Sequence, residues 1–184
     1  MIYFVKGNPP SDEFILAAYK IYCEDLHLPY SPQKILRDGK PRFEDGVKFN
    51  LTHSGEYTVV AFSESEVGID LEKKEKRNLE RLKAYLDIDG SDDLFYDEWT
   101  RREAELKKEG KGIESIRNFK PQFAKNVFFA KGYSFAVCGD CGQIKEILWK
   151  KKKYLKNASK YTKIMNRYEF IVVLCDGKRG NYGI

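Results

Sequence analysis

The 184-residue chain is poor in the features that announce membrane spans and disulfide scaffolds. No apolar run approaches the roughly 18 residues of a membrane-spanning helix. The start, Met1 to Val5, is apolar for only a few residues before Lys6 and Pro9-Pro10. That is shorter than the apolar stretch of a secretory leader, so a cytoplasmic protein is expected. Cysteine is scarce, at four, and histidine scarcer, at two. Cys138-Gly139-Asp140-Cys141 has CxxC spacing, but a zinc site wants a second pair, and Cys23 and Cys175 stand isolated. A redox pair wants a thioredoxin-like context, which is absent, so reduced cysteines at a strand end are expected. Charge of one sign is also modest: 33 Lys+Arg against 28 Asp+Glu, a net +5. That suits an anionic ligand or an acidic partner and excludes a dedicated DNA wrapper. With 42% hydrophobic and 14% aromatic residues, wholesale disorder is excluded as well.

Periodicity predicts a helix over Ser11–Leu28, capped by Ser11 or Asp12, with Phe14, Ile15, Ala18, Tyr19 and Tyr22 as its stripe. Pro29 and Pro32 end it, and a loop centred on Gly39-Lys40-Pro41 follows. Strands are predicted at Val47–Leu51 and Tyr57–Phe62, with His53–Glu56 as the turn between them, and a third at Val67–Glu72. Lys73–Lys83 reads as the start of a solvated helix and Asp87–Asp93 as an acidic loop. A second strong helix is expected over Leu94–Glu109, stopped by Gly110-Lys111-Gly112. Further strands are expected at Tyr133–Cys138, Ile144–Trp149 and Tyr168–Leu174. One α+β domain over residues 1–184 is expected, built of two similar α/β halves at about 1–78 and 79–184, each a helix packed on a small antiparallel sheet.

Three segments carry possible chemistry. In Val67-Gly68-Ile69-Asp70-Leu71-Glu72 the period of 2 turns Val67, Ile69 and Leu71 to the core and Gly68, Asp70 and Glu72 to the other face. Paired carboxylates repel unless a cation sits between them, and hard oxygens on an open face suit Mg²⁺. Taken alone, an exposed acidic strand face is the simpler reading. In Trp99 to Lys107, spacing of four aligns Trp99, Glu103 and Lys107 on one helix face. Glu103 could be a third oxygen ligand or a general base, and Lys107 could hold a phosphate. Taken alone, an amphipathic helix with a Glu–Lys pair explains it. In Phe49-Asn50-Leu51-Thr52-His53-Ser54 a hydroxyl and an imidazole could grip a phosphate ester, or the polar side chains could bond the local backbone. A Ser–His nucleophile is weaker still, because no elbow motif surrounds Ser54.

Together, in this order, the segments resemble the 4′-phosphopantetheinyl transferases of the two-half type. The resemblance rests on Gly39-Lys40-Pro41, Phe49–Ser54, Val67–Glu72, Trp99–Lys107 and Gly110-Lys111-Gly112, and extends loosely to Tyr133–Asp140. Two positions depart from the pattern: Thr52 stands where the family usually has Ser, and Arg102 where Lys precedes the Glu. The resemblance implies two α/β halves with the site in the cleft between them. It implies transfer of the phosphopantetheine arm of coenzyme A to a serine of an acyl or peptidyl carrier protein, releasing adenosine 3′,5′-bisphosphate. It assigns Asp70, Glu72 and Glu103 to Mg²⁺, Glu103 also to the serine proton, and Lys107 to the diphosphate. Gly39, Lys40, Pro41, Thr52 and His53 fall to the nucleotide end, with His53 near the 3′-phosphate, and Lys6 and Lys20 are further candidates there. A monomer is expected.

Two alternatives remain at this level. Lys150–Lys153, continued by Lys156, Lys160 and Lys163 with Tyr154 and Tyr161 interleaved, could bind nucleic acid, although no nucleic-acid fold motif accompanies it; such a run is more often a solvated face or tail, and it could also steer an acidic carrier protein. A coenzyme A-binding pseudoenzyme would keep the fold without the reaction.

Overall fold

The computed structural model describes residues 1–44 and 46–149 with their side chains, and the backbone of 150–151, 168–173 and 179–182. The rest of the lysine-rich segment, from 152 to 167, and Cys175 lie outside the described residues. In chain order the elements are β1 (Ile2–Lys6), α1 (Ser11–Asp25), β2 (Ile35–Leu36), β3 (Arg42–Phe43), β4 (Lys48–Ser54), β5 (Tyr57–Ser63) and β6 (Gly68–Lys73). Then follow α2 (Glu80–Leu86), α3 (Asp92–Glu109), a 3₁₀ turn (Ile113–Asn118), β7 (Lys125–Asn126), β8 (Tyr133–Cys138), β9 (Ile144–Lys151), β10 (Tyr168–Val173) and β11 (Arg179–Tyr182).

Six strands form one sheet in the order β11-β10-β9-β1-β5-β4, and β6-β8-β7 form another, with β2-β3 a separate ribbon. Alternation along β5 explains how they stack. Val60 and Phe62 join Tyr3, Val5 and Phe49 beneath α1, whose Phe14, Ile15, Ala18 and Tyr22 complete one core. Val59 and Ala61 face the other way, onto Ile69 and Leu71 of β6 and Phe135 and Val137 of β8. The far face of that second sheet carries α3, where Ala104 meets Ala136 and Cys138. The layers therefore run α1, large sheet, small sheet, α3, a mixed α and β architecture that buries apolar side chains on both faces of each sheet. Among the described residues no helix is long and apolar enough to cross a membrane.

Gly68 makes the α3 layer possible. A Cβ there would stand 1.9 Å from the Ala104 carbonyl oxygen, so only glycine lets the helix backbone lie this close to β6.

Several boundaries differ from the periodic reading, each for a physical reason. Neither Ser11 nor Asp12 caps α1: Pro10 precedes the first turn without a side-chain cap, and Asp12 pairs with Arg37. The β4–β5 register, ending at Ser54 opposite Tyr57, leaves Gly55-Glu56 as the whole turn, so His53 and Ser54 lie in the strand. Gly55 takes φ 57° at the first turn position, where a tight hairpin favours glycine. Residues 74–79 are not helical, because this stretch is held by long-range bonds: the Tyr96 hydroxyl accepts from the Glu75 N–H and donates to the Glu75 carbonyl. Ser91, whose Oγ accepts from the Leu94 N–H, starts α3 two residues earlier than the apolar stripe does. At its other end Gly110 adopts φ 69°, the left-handed stop expected of it.

Candidate active site

The edge strand β4 of the large sheet lies beside the edge strand β6 of the small one, and the join is made by side chains. Asn50, Thr52 and Ser54 share one face of β4. Asn50 Oδ1 accepts from the Ile69 N–H at 2.8 Å, Thr52 Oγ1 from the Leu71 N–H at 3.3 Å, and Ser54 Oγ from the Lys73 N–H at 2.9 Å. Three N–H groups that a sheet edge would leave bare are thereby satisfied. Two rungs continue to carboxylates: Thr52 Oγ1 donates to Asp70 Oδ1 and Ser54 Oγ to Glu72 Oε2, each at 3.2 Å.

Across β6 lies α3, with Trp99, Glu103 and Lys107 on the face turned to the join. Together these elements wall a cleft of about 400 Å³, lined by Thr52, His53, Asp70, Glu72, Trp99, Glu103 and Lys107 among others. The three acidic residues and the lysine singled out from spacing thus meet in one cavity. Lys107 Nζ lies 2.6 Å from Asp70 Oδ1.

The electrostatics follow from burial. Asp70 is 4% exposed. Desolvation pushes its carboxyl above the ordinary carboxylate range, opposed by the Lys107 charge and by bonds from Lys107, Thr52 and the Leu71 N–H. Burial raises Glu72 too, reinforced by Asp70 and offset by Ser54, Arg77 and Lys107. Glu103 is pushed up to about 7, first by burial and then by the charge of Asp70, with Lys107 opposing and Glu72 adding. Asp70 Oδ2 and Glu103 Oε1 are buried with no hydrogen-bond partner. Orphaned, mutually repelling hard oxygens are the donor set a divalent cation neutralises. Among the described residues no three His, Cys, Asp or Glu side chains stand close enough to form a ready-made metal cluster. The donor chemistry fits such an ion without being drawn up around one.

Other expected site residues sit differently. Lys40 lies apart, its ammonium 2.8 Å from both Glu66 Oε2 and the Val67 carbonyl and 3.3 Å from that of Lys108. It lines a neighbouring hollow with Glu66, Lys108, Glu109 and Gly110. Neither Gly39 nor Pro41 lines either cavity. The Thr52 hydroxyl is directed at Asp70 and β6, while His53 is exposed at the cleft. Lys6 pairs with Glu56 outside the cleft. Arg102 is buried, bonding Glu98 and the Leu86 carbonyl, which makes it a tie between α3 and the end of α2. Cys23, Cys138 and Cys141 are free thiols. Ser11, Leu51 and Ile113 also line the cleft, and Ser54 bonds Glu72. Of these, only Ser54 left a sequence signal, its place two residues beyond Thr52 on the same strand face.

No family model matches the chain. Curated relatives do. It is 30% identical over 132 residues to the 4′-phosphopantetheinyl transferase Sfp of Bacillus subtilis (strain 168), covering 54% of this chain and 59% of that protein. It is 31% identical over 132 residues to the 4′-phosphopantetheinyl transferase ffp of Bacillus subtilis, with the same coverage, 54% and 59%. Another Bacillus subtilis 4′-phosphopantetheinyl transferase is 33% identical over 109 residues, covering 53% of this chain and 48% of that protein. The chain spans about half the length of the curated relatives it matches. Over that shared half, the chain is similar to 4′-phosphopantetheinyl transferases.

Proposed function

We propose that this chain transfers the 4′-phosphopantetheine arm of coenzyme A to a serine of an acyl or peptidyl carrier protein, in a Mg²⁺-dependent reaction that releases adenosine 3′,5′-bisphosphate. One observation carries the reading: Asp70, Glu72, Glu103 and Lys107, from a strand and a helix far apart in sequence, line one cleft. The homologous transferases agree with it.

In this reading Asp70, Glu72 and Glu103 would hold the ion, and Asp70 Oδ2 and Glu103 Oε1 are the buried oxygens without a partner. An ion held by these residues would supply positive charge to an anionic substrate. Lys107 adds a second cation on the same wall and stabilises charge as it gathers on the leaving bisphosphate. Glu103 takes the serine proton. Without the ion, burial and the neighbouring carboxylates push its pKa up to about 7, and a positioned carboxylate is a competent general base. Trp99 forms an apolar wall, and His53, Thr52 and the Gly39-Lys40-Pro41 loop serve the nucleotide end. One domain in two halves, at about 1–78 and 79–184, is part of the same proposal, although the sheets cut across that boundary: β6 pairs with β8, and β9 to β11 join the sheet of β1. The enzyme works as a cytoplasmic monomer, and the net charge of +5 favours an acidic carrier protein.

The direct test incubates the full chain with coenzyme A, Mg²⁺ and several apo carrier proteins, read by mass spectrometry. A carrier gaining the mass of one phosphopantetheine supports the proposal. No gain with any carrier overturns it.

A further inference from the structure

The side-chain join between β4 and β6 does more than satisfy a sheet edge. Its three rungs are chemically unequal. Asn50 touches only backbone, at the Ile69 N–H. Ser54 uses both capacities of its hydroxyl: it accepts from the Lys73 N–H at 2.9 Å and donates to Glu72 Oε2 at 3.2 Å. Glu72 needs such a partner. It is partly exposed near the end of β6, and the Asp70 charge pushes on it. The described hydrogen bonds give it no donor other than Ser54. Asp70, by contrast, is held by Thr52 and Lys107 together.

From this geometry we infer that Ser54 is a positioning residue: its hydroxyl fixes the rotamer of Glu72, and β4 thereby sets where one cation-binding carboxylate stands. The inference rests on the proposed metal site and adds a residue to it. Ser54 anchors to the Lys73 backbone, so the Glu72 carboxylate is referenced to the strand that carries it. Orienting groups of this kind change metal affinity about 10- to 100-fold when removed. A single bond of 3.2 Å belongs at the low end.

The experiment is Mn²⁺ binding to the full chain without coenzyme A, read by electron paramagnetic resonance of the free ion. Asp70→Asn, Ser54→Ala, Ser54→Thr and Asn50→Ala are compared with the parent, with thermal melting alongside. Ser54→Ala should weaken Mn²⁺ about tenfold, and Ser54→Thr, which keeps the hydroxyl, should restore it. Asn50→Ala should lower the melting temperature while leaving Mn²⁺ affinity unchanged. In a Glu72→Gln background Ser54→Ala should cost nothing further, because its target is gone. Should the alanine variant not fold, Ser54→Cys tests the same bond with a weak donor of similar size. Unchanged affinity in Ser54→Ala, or equal losses in Ser54→Ala and Asn50→Ala, overturns the inference alone. Equal binding by the parent and Asp70→Asn overturns the metal site itself.

Discussion

Lys107 Nζ and Asp70 Oδ1 lie 2.6 Å apart, yet the other Asp70 oxygen, Oδ2, is buried without a partner. The pair is half-neutralised: one oxygen is committed to the protein's own cation and one is kept for something else. Removing Lys107 would leave a buried carboxylate facing Glu72 and Glu103 with no opposing charge at hydrogen-bond distance, and removing Asp70 would leave the ammonium without its partner.

Glu103→Gln should therefore slow transfer by about 10²- to 10⁴-fold, the range for loss of a general base. Asp70→Asn should cost at least as much. Both variants should keep the parent circular dichroism spectrum. Phosphopantetheine incorporation into a carrier protein measures the rate, and near-parental turnover by either variant would rule out these roles.

Acidity should affect stability in an unusual direction. The folded Glu103 has a pKa near 7 against an ordinary 4.5, so the unfolded chain releases this proton first. As pH rises from about 4.5 to 7, the metal-free protein should lose stability, and Asp70 and Glu72 push the same way. At pH 8 Glu103→Gln should be more stable than the parent by about 1–2 kcal/mol, after discounting for solvent around this half-buried group. Urea titrations across pH, with a chelator present, would show it. A parent curve that rises over this interval would contradict the assignment.

Much of the site was legible because it is periodic. Alternation placed Asp70 and Glu72 on the face opposite Ile69 and Leu71, and spacing of four aligned Trp99, Glu103 and Lys107. Both patterns are local geometry, and the structure keeps them. What periodicity cannot carry is the approach of β4 to β6. That approach turns the Thr52 hydroxyl onto Asp70 and joins Ser54 to Glu72, and the loop between β2 and β3 separately brings Lys40 to Glu66 and the Val67 carbonyl. Such bonds span 18 to 27 residues. The helix expected to begin within Lys73–Lys83 starts only at Glu80 for a similar reason, since Tyr96, a residue of another element, holds Glu75.

Gly68→Ala should be among the most damaging substitutions of small size. The added methyl would meet the Ala104 carbonyl and the Lys108 backbone nitrogen at 1.9 and 2.5 Å. Backbone cannot step aside as a side chain can, so a loss of about 3 kcal/mol or more is expected, above the usual range for overpacking. Denaturant midpoints measure it, and a parent-like midpoint would show that α3 can move off β6.

Glu105→Ala should loosen one loop rather than the site. This buried carboxylate accepts from the N–H groups of Gln122, Phe123 and Ala124. Stranding those donors should cost about 1–3 kcal/mol. Hydrogen exchange should quicken at 122–124 while the amides of β6 keep their protection.

The place of β1 bears on how the chain is made. The first strand pairs antiparallel with β5 and parallel with β9, so its second edge waits for residues 144–146. On the ribosome, α1, β1, β5 and β4 can gather early, but one side of β1 stays bare until some eighty further residues have emerged. A nascent chain stalled before Ile144 should thus be the species that chaperones hold or that clumps, and synthesis past that point should release it.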